Sequence, residues 1–229
     1  MRKSSFVWAI AAALLAAAPA PVIVAPAAAE TAADVGAYLF EAEHFRKTAP
    51  DARIVYSYSR ASKDAERTRP SFKDVVELQL EPGKSPATRN VVVTLFKGPM
   101  HRAAGPFDDV SFNPLAIMML EYHLGDFSKI LGGNARYFKN GIRAGMRDAA
   151  QSEPVKVKVA GRDVDALRFV VRPFENDPQK ARFGAFAATT YTFTVSDEVP
   201  GSIYEIRITT PDPAGGEPIL EEVTRYVDP

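Results

Sequence analysis

The chain has 229 residues, carries 28 basic and 28 acidic side chains, and contains no cysteine. The balanced charge argues against a nucleic-acid partner and against an acidic cation store. The lack of cysteine excludes disulfides, a thiolate metal site, a cysteine nucleophile and a lipidated cysteine.

The N-terminus has the features of a secretory signal peptide. A basic region, "MRK", precedes the apolar run "FVWAIAAALLAAA", and the small residues of "APAAAE" predict cleavage between Ala29 and Glu30. The apolar run is shorter than the roughly 18–20 residues of a membrane span, and prolines follow it. We therefore expect a periplasmic or alternatively extracellular protein, with residues 1–29 removed and no transmembrane segment left.

Residues 30–229 are expected to form one domain. They number 200, which is close to the usual size of a single domain. They hold 26 basic and 28 acidic side chains, a formal charge of −2. Neither a repeat nor a low-complexity linker divides them.

Most of the domain has the pattern of β-strands. After a short amphipathic helix in "DVGAYLFEAEHFRK", three runs rich in β-branched residues predict strands, namely "RIVYSYSR", "KDVVELQLE" and "NVVVTLFKG". A predicted β-hairpin, "VKVKVAGRDVDALRFVV", opens the second half, and three further strands are predicted in "AATTYTFTV", "SIYEIRITT" and "ILEEVTRYV". Short turns between successive strands favour an antiparallel meander.

The predicted fold class is α+β. We expect a strongly curved antiparallel sheet of about eight strands, open like a half-barrel, with a two-helix hairpin inserted at about 113–150 and a short N-terminal helix. In the order of its elements the chain is similar to the open half-barrels of periplasmic lipoprotein carriers and envelope-stress sensors. No sequence motif supports this similarity.

The hairpin, "FNPLAIMMLEYHLGDFSKILGGNARYFKNGIR", has clear start and joint signals. Asn113 and Pro114 are typical of the first residues of a helix. The segment "GGN" predicts a joint between two helices, because glycine accepts a left-handed backbone and Asn134 can cap the next helix. A phosphate-binding loop is the alternative, but the preceding strand and the Lys-Ser/Thr pair of the known motifs are missing.

The first predicted helix is apolar on two sides. One stripe is expected to pack against the core: Ile117, Leu120, Leu124, Phe127 and Leu131. A second set lies on the other side: Leu115, Met118, Met119 and Tyr122. Either the helix is buried between the sheet and the second helix, or the second set lines a cavity and binds an apolar ligand.

The second predicted helix carries a basic edge. Its cations recur at steps of three and four: Arg136, Lys139, Arg143 and Arg147. A solvated face is one interpretation. The other is an anion-facing ridge for lipid headgroups, lipopolysaccharide, an acidic polysaccharide or an acidic protein patch.

Signals for catalysis are weak. There are three histidines, and the patterns HExxH, GxSxG, SxxK and the Walker loop do not occur. His44 has a neighbour in Glu41 but lacks a third metal ligand, and His123 is expected to pack or cap. If the protein were a hydrolase, the best cluster would be the predicted loop "KGPMHRAAGPFDD", with His101, Arg102, Asp108 and Asp109. We predict no metal and no cofactor.

The favoured function is a non-enzymatic periplasmic binding or carrier protein for an apolar or lipid-like ligand with an acidic headgroup. The alternative is an envelope protein-protein interaction or scaffolding module, with a surface patch that includes Met118 or Tyr122. A hydrolase using His101 is the third hypothesis.

Overall fold

The computed structural model describes residues 34–228, and the predicted signal peptide, residues 1–29, lies outside them. Within this range the order of elements is α1 (Val35–Glu41), β1 (Arg53–Ser62), β2 (Phe72–Pro82), β3 (Arg89–Leu95), β4 (Arg102–Val110), α2 (Leu115–Leu131), α3 (Ala135–Asp148), β5 (Gln151–Val159), β6 (Arg162–Val171), α4 (Lys180–Phe183), a 3-10 turn (Gly184–Ala188), β7 (Thr190–Val195), β8 (Ile203–Thr210) and β9 (Leu220–Tyr226). No helix in residues 34–228 is both long and apolar enough to cross a membrane.

All nine strands form one antiparallel sheet, in the order β4-β3-β2-β1-β9-β8-β7-β6-β5. Two meanders, β1–β4 and β5–β9, therefore meet where the last strand lies beside the first. Glu222 of β9 is directly opposite Arg60 of β1 in this pairing. The prediction of an α+β fold with an antiparallel sheet, an inserted helix pair and a short N-terminal helix is confirmed.

The predicted curvature and strand number are wrong. The sheet has nine strands instead of about eight, and it is neither closed nor strongly curled, so the half-barrel description does not apply. Strands β4 and β5 remain as separate edges. Each contains a proline, Pro106 or Pro154, which has no backbone N–H to donate to a neighbouring strand. Such residues are typical of edges that do not pair further.

The strand that the sequence pattern does not predict is β4. The pattern around His101 predicts a loop, because it contains Gly105 and Pro106 and does not alternate between apolar and polar residues. In the structure this segment pairs with β3 through an irregular register, with shifts on either side of Val91. An edge strand has one partner and a largely exposed face, so the usual alternation is not needed.

The helical hairpin forms as predicted. Asn113 accepts a hydrogen bond from the backbone N–H of Leu115 at 3.0 Å. Gly132 ends α2 with a φ of 61°, and Asn134 caps α3 by accepting from the N–H of Arg136 at 2.9 Å. The "GGN" segment is therefore a helix joint.

The core lies between one face of the sheet and the helices. Inward side chains alternate along the strands, for example Ile54, Tyr56 and Tyr58 in β1. Phe127 of α2 contacts the rings of Phe138, on α3, and Phe174, at centroid distances of 5.1 and 5.5 Å. The position of α2 in this core places one of its sides on the sheet and another beside α1 and α3.

Candidate functional site

A groove of about 430 Å³ lies between α1, α2 and α3, and we call it the helical groove. Its volume is within the range of about 300–1,000 Å³ that is usual for small-molecule sites. The apolar lining comprises Gly36, Ala37, Phe40, Ile117, Leu120, Leu124, Ile142 and Met146. The charged lining comprises Asp34, Glu41, Glu121, Lys139, Arg143 and Arg147. The groove thus combines an apolar floor with a charged rim.

Both apolar sides of α2 contain residues of the main core, as in the first of the two alternatives that the sequence leaves open. The predicted ligand-binding residues Leu115, Met119 and Tyr122 are buried in the main core, where Tyr122 packs edge-on to the rings of Tyr58 and Phe96. Met118 is half-buried and packs against the same core. None of these four predicted residues lines the helical groove.

The stripe that the sequence assigns to the core does lie in it at Leu120, Leu124 and Phe127, and part of the stripe also lines the groove. Ile117, Leu120 and Leu124 all line it, although the last two are only 8% and 4% exposed. Phe127, further along the same stripe, is fully buried. A helix that is apolar all round contacts packed protein on both sides, and the sequence does not show which side is left partly open.

Three of the four predicted ridge residues do meet at the groove. Lys139, Arg143 and Arg147 project from successive turns of α3, and we call them the basic rim. Arg136, the fourth, is exposed and does not line the groove. The role of these residues in binding an anion stays a prediction.

The members of the basic rim differ in their partners. The Lys139 ammonium contacts the Glu121 carboxylate on α2. The Arg147 guanidinium donates two hydrogen bonds of 2.7 Å to Asp148, which raises the pKa of Arg147 and lowers that of Asp148. Arg143 has no ion-pair partner within residues 34–228. Its donors are therefore open to a ligand.

The groove lining also includes three carboxylates. Asp34 caps α1 by accepting from the N–H of Ala37 at 2.9 Å, and Glu41 is exposed at the other end of that helix. Glu121 on α2 is the third, and it already contacts Lys139. A ligand in the groove therefore meets cations on α3 and carboxylates on α1 and α2.

A buried cluster of charged groups joins the other side of α2 to the middle of the sheet. It consists of Tyr58, Arg60, His123, Asp126 and Glu222, and all five are below 5% exposed. The Arg60 guanidinium spans both carboxylates, at 2.6 Å from Glu222 and 2.8 Å from Asp126. Tyr58 donates to Glu222 at 2.6 Å.

Two further contacts complete the buried cluster. His123 Nδ1 lies 2.5 Å from the second oxygen of Glu222. Arg69 stacks on Tyr122, with its guanidinium carbon 4.2 Å from the ring centroid, and binds Asp126 at 3.0 Å. Two guanidinium groups therefore balance two carboxylates under α2.

The buried cluster favours the ionised form of Glu222 and the neutral form of Tyr58. Burial disfavours the Glu222 carboxylate, but the hydrogen bond with His123 and the charges of His123 and Arg60 outweigh it and lower the pKa of Glu222 to about 2. Burial and the adjacent carboxylate raise the pKa of Tyr58, which keeps its hydroxyl as a donor. None of these residues lines the helical groove, so the cluster holds α2 on the sheet without touching a ligand there.

The other histidines and the predicted hydrolase residues do not converge. His101 precedes β4 and Asp108 lies near its far end, so their backbones are separated by about 20 Å along an extended strand. Asp109 instead accepts from the Lys84 N–H and the Thr88 hydroxyl, at 2.8 and 2.7 Å. Both ring nitrogens of His44 lie 2.9 Å from backbone groups, and burial lowers its pKa.

A second depression, of about 410 Å³, lies at the far end of α2, and its cations already have partners. Lys63 binds Asp212 at 3.1 Å. Arg67 lies 3.7 Å from Asp64, and Arg182 donates to the Gln179 side chain at 2.8 Å. We therefore regard the helical groove as the better candidate site.

Sequence reasoning misses two features of this region. The participation of α1 in the groove, through residues such as Phe40, has no signal in a short helix of this kind. The pairing of Arg60 with Glu222 depends on β1 and β9, which are 162 residues apart at this point.

No protein-family model matches the chain, and no curated protein matches it.

Proposed function

We propose that the protein is a non-enzymatic binding or carrier protein of the periplasm, and that it holds an amphiphile with an acidic headgroup in the helical groove. The observation that supports this most is the meeting of an apolar floor and the basic rim in one groove of about 430 Å³. The alkyl chain lies on Ile117, Leu120, Ile142 and Met146, and the headgroup lies at the basic rim.

The binding free energy comes chiefly from the apolar chain. Each methylene removed from water contributes about 0.8 kcal/mol. The rim adds charge complementarity, which orients the ligand more than it tightens binding where the groups are exposed. The lining of α3 from Lys139 to Arg147 spans eight residue steps, about 12 Å. This length suits a short or medium alkyl chain.

The charge distribution favours a ligand with one charged end. A wholly apolar ligand would leave the basic rim unused, and an apolar helix of a partner protein would have to fit into a groove only a few turns long. Docking of such a partner remains the alternative, as an envelope interaction module. Of the predicted patch for that alternative, Tyr122 is buried and Met118 is half-buried against the core.

Native mass spectrometry and a fluorescent fatty-acid probe test the proposal. We expect protein purified from a periplasmic extract to carry a lipid-like mass and, after delipidation, to bind the probe. Ala37→Trp fills the groove and should abolish probe binding. Ala135→Trp is the matched control, because Ala135 is an exposed helical residue outside the lining.

Two results would overturn the proposal. One is a mass of the bare chain together with no probe binding. The other is a co-purified polypeptide, lost in the Ala37→Trp protein, which would favour the interaction module. Equal probe binding by both tryptophan variants would place the ligand elsewhere and remove the helical groove from the proposal.

A further inference from the structure

The basic rim carries one uncompensated positive charge. Lys139 is paired with Glu121, and Arg147 with Asp148, whereas Arg143 has no carboxylate partner in residues 34–228. The three cations follow one another at four-residue steps, about 6 Å apart along α3. Arg143 is the middle one. A headgroup at the centre of the rim therefore meets an unpaired guanidinium flanked by two cations that are already engaged.

The carboxylates of the groove limit the charge that the headgroup can carry. Asp34, Glu41 and Glu121 line the groove together with the three cations of the basic rim, so the six charged lining residues sum to zero. A doubly charged headgroup, such as a phosphate monoester, would be attracted by one unpaired cation and repelled by Asp34 and Glu41, the two lining carboxylates without an ion-pair partner in residues 34–228. A singly charged headgroup matches the one unpaired cation.

The shape of the guanidinium also bears on the headgroup. Arginine presents a planar fork of N–H donors that fits the two oxygens of a carboxylate. From these observations we infer that the ligand is a single-chain carboxylate, and that Arg143 is the residue that determines specificity by holding the carboxylate with two hydrogen bonds. The inference rests on the proposed function, since it assigns the chemistry of the headgroup in the same groove.

Calorimetric titration with three ligands of equal chain length tests this inference. The ligands are decanoate, decyl phosphate and decanol, each used below its aggregation concentration. The wild-type protein should bind decanoate more tightly than either of the others. Arg143→Gln should weaken decanoate binding about threefold, as expected for loss of an exposed ion pair, and leave decanol binding unchanged. Arg143→Lys should recover only part of the affinity, because an ammonium lacks the fork.

Arg136→Gln is the matched control, because Arg136 lies on the same edge of α3 but outside the groove lining. The Arg136→Gln protein should bind decanoate with the affinity of the wild type. Tighter binding of decyl phosphate would overturn the inference and leave the proposed function standing. Binding of all three ligands with equal affinity would overturn both the inference and the acidic headgroup of the proposed function. An unchanged affinity of the Arg143→Gln protein for decanoate would also overturn the inference and leave the proposed function standing. Failure of every ligand to bind the wild type would overturn the proposed function itself.

Discussion

The Nδ1 atom of His123, on α2, lies 2.5 Å from the Oε2 atom of Glu222, on β9, and both side chains are almost fully buried. The same carboxylate accepts from Arg60 and Tyr58 of β1 through its other oxygen, at 2.6 Å in each case. One side chain therefore joins the inserted helix to the two strands at which the halves of the sheet meet. The position of α2, and with it one wall of the helical groove, depends on this carboxylate.

Replacement of Glu222 by glutamine should destabilise the protein strongly. Arg60 would keep only Asp126 as a charged partner, and removal of one member of a buried ion pair typically costs about 3–5 kcal/mol. Urea denaturation followed by circular dichroism measures the change in the free energy of unfolding. Glu221→Gln is the control, because Glu221 is a third exposed and pairs with Arg207 on the other face, so it should cost less than about 1 kcal/mol. Equal losses in the two variants would contradict this role of Glu222.

The stability of the wild type should fall in acid partly through Glu222. Its pKa is lowered from 4.5 to about 2 in the folded protein, so the folded state binds this proton less readily than the unfolded state does. The contribution is complete above about pH 4.5 and is lost as the pH falls toward 2. The difference in unfolding free energy between wild type and Glu222→Gln should therefore shrink over this interval, since the other carboxylates are common to both. A difference independent of pH would show that the Glu222 pKa is not lowered.

Two glycines of the same helix should respond to alanine in opposite directions. Gly132 has a φ of 61° at the end of α2, and an alanine in this left-handed conformation costs about 1–2 kcal/mol. Gly125 lies in the helix interior and is exposed, and a methyl group added there would meet no atom within 4 Å, so Gly125→Ala should stabilise by about 0.5–1 kcal/mol. Thermal unfolding of the two variants measures both effects. A stabilised Gly132→Ala protein would mean that the joint adopts another conformation.

The elements that follow from local sequence are those whose signals are local. Alternation predicts β1, and a glycine pair followed by asparagine predicts the joint after Leu131, because the residues that fix these features are neighbours in the chain. The strand β4 is not predicted, since its edge position removes the alternation. The buried cluster is not predicted either, because it requires the pairing of β1 with β9.

The candidate site is predicted in part for a similar reason. The spacing of the basic rim along α3 is a local property, and the structure places three of the four predicted cations at the groove. The side of α2 that faces the groove depends instead on which residues the sheet covers. Tyr58 and Phe96 provide the aromatic surface that takes up Tyr122, and nothing near Tyr122 in the sequence indicates their presence.

A pair of alanine substitutions can show which side of α2 contributes mainly to stability and which contributes to ligand binding. Met119 is 3% exposed and packs in the main core, so Met119→Ala should cost about 2–5 kcal/mol of unfolding free energy without changing the affinity for a fatty-acid probe. Ile117 is half-buried and lines the groove, so Ile117→Ala should cost about 1 kcal/mol of stability and weaken the probe about tenfold. Denaturation and probe titration on the same samples give both quantities.

The opposite pattern would have a clear meaning. If Met119→Ala weakened the probe while Ile117→Ala did not, the ligand would lie on the side of α2 that the structure packs against the sheet. Binding would then require α2 to move away from the buried cluster, and Glu222→Gln would be expected to strengthen binding, because it loosens the contact that holds the helix in place. An unchanged affinity in Glu222→Gln, with the first pattern for the two alanine variants, is the result that the helical groove predicts.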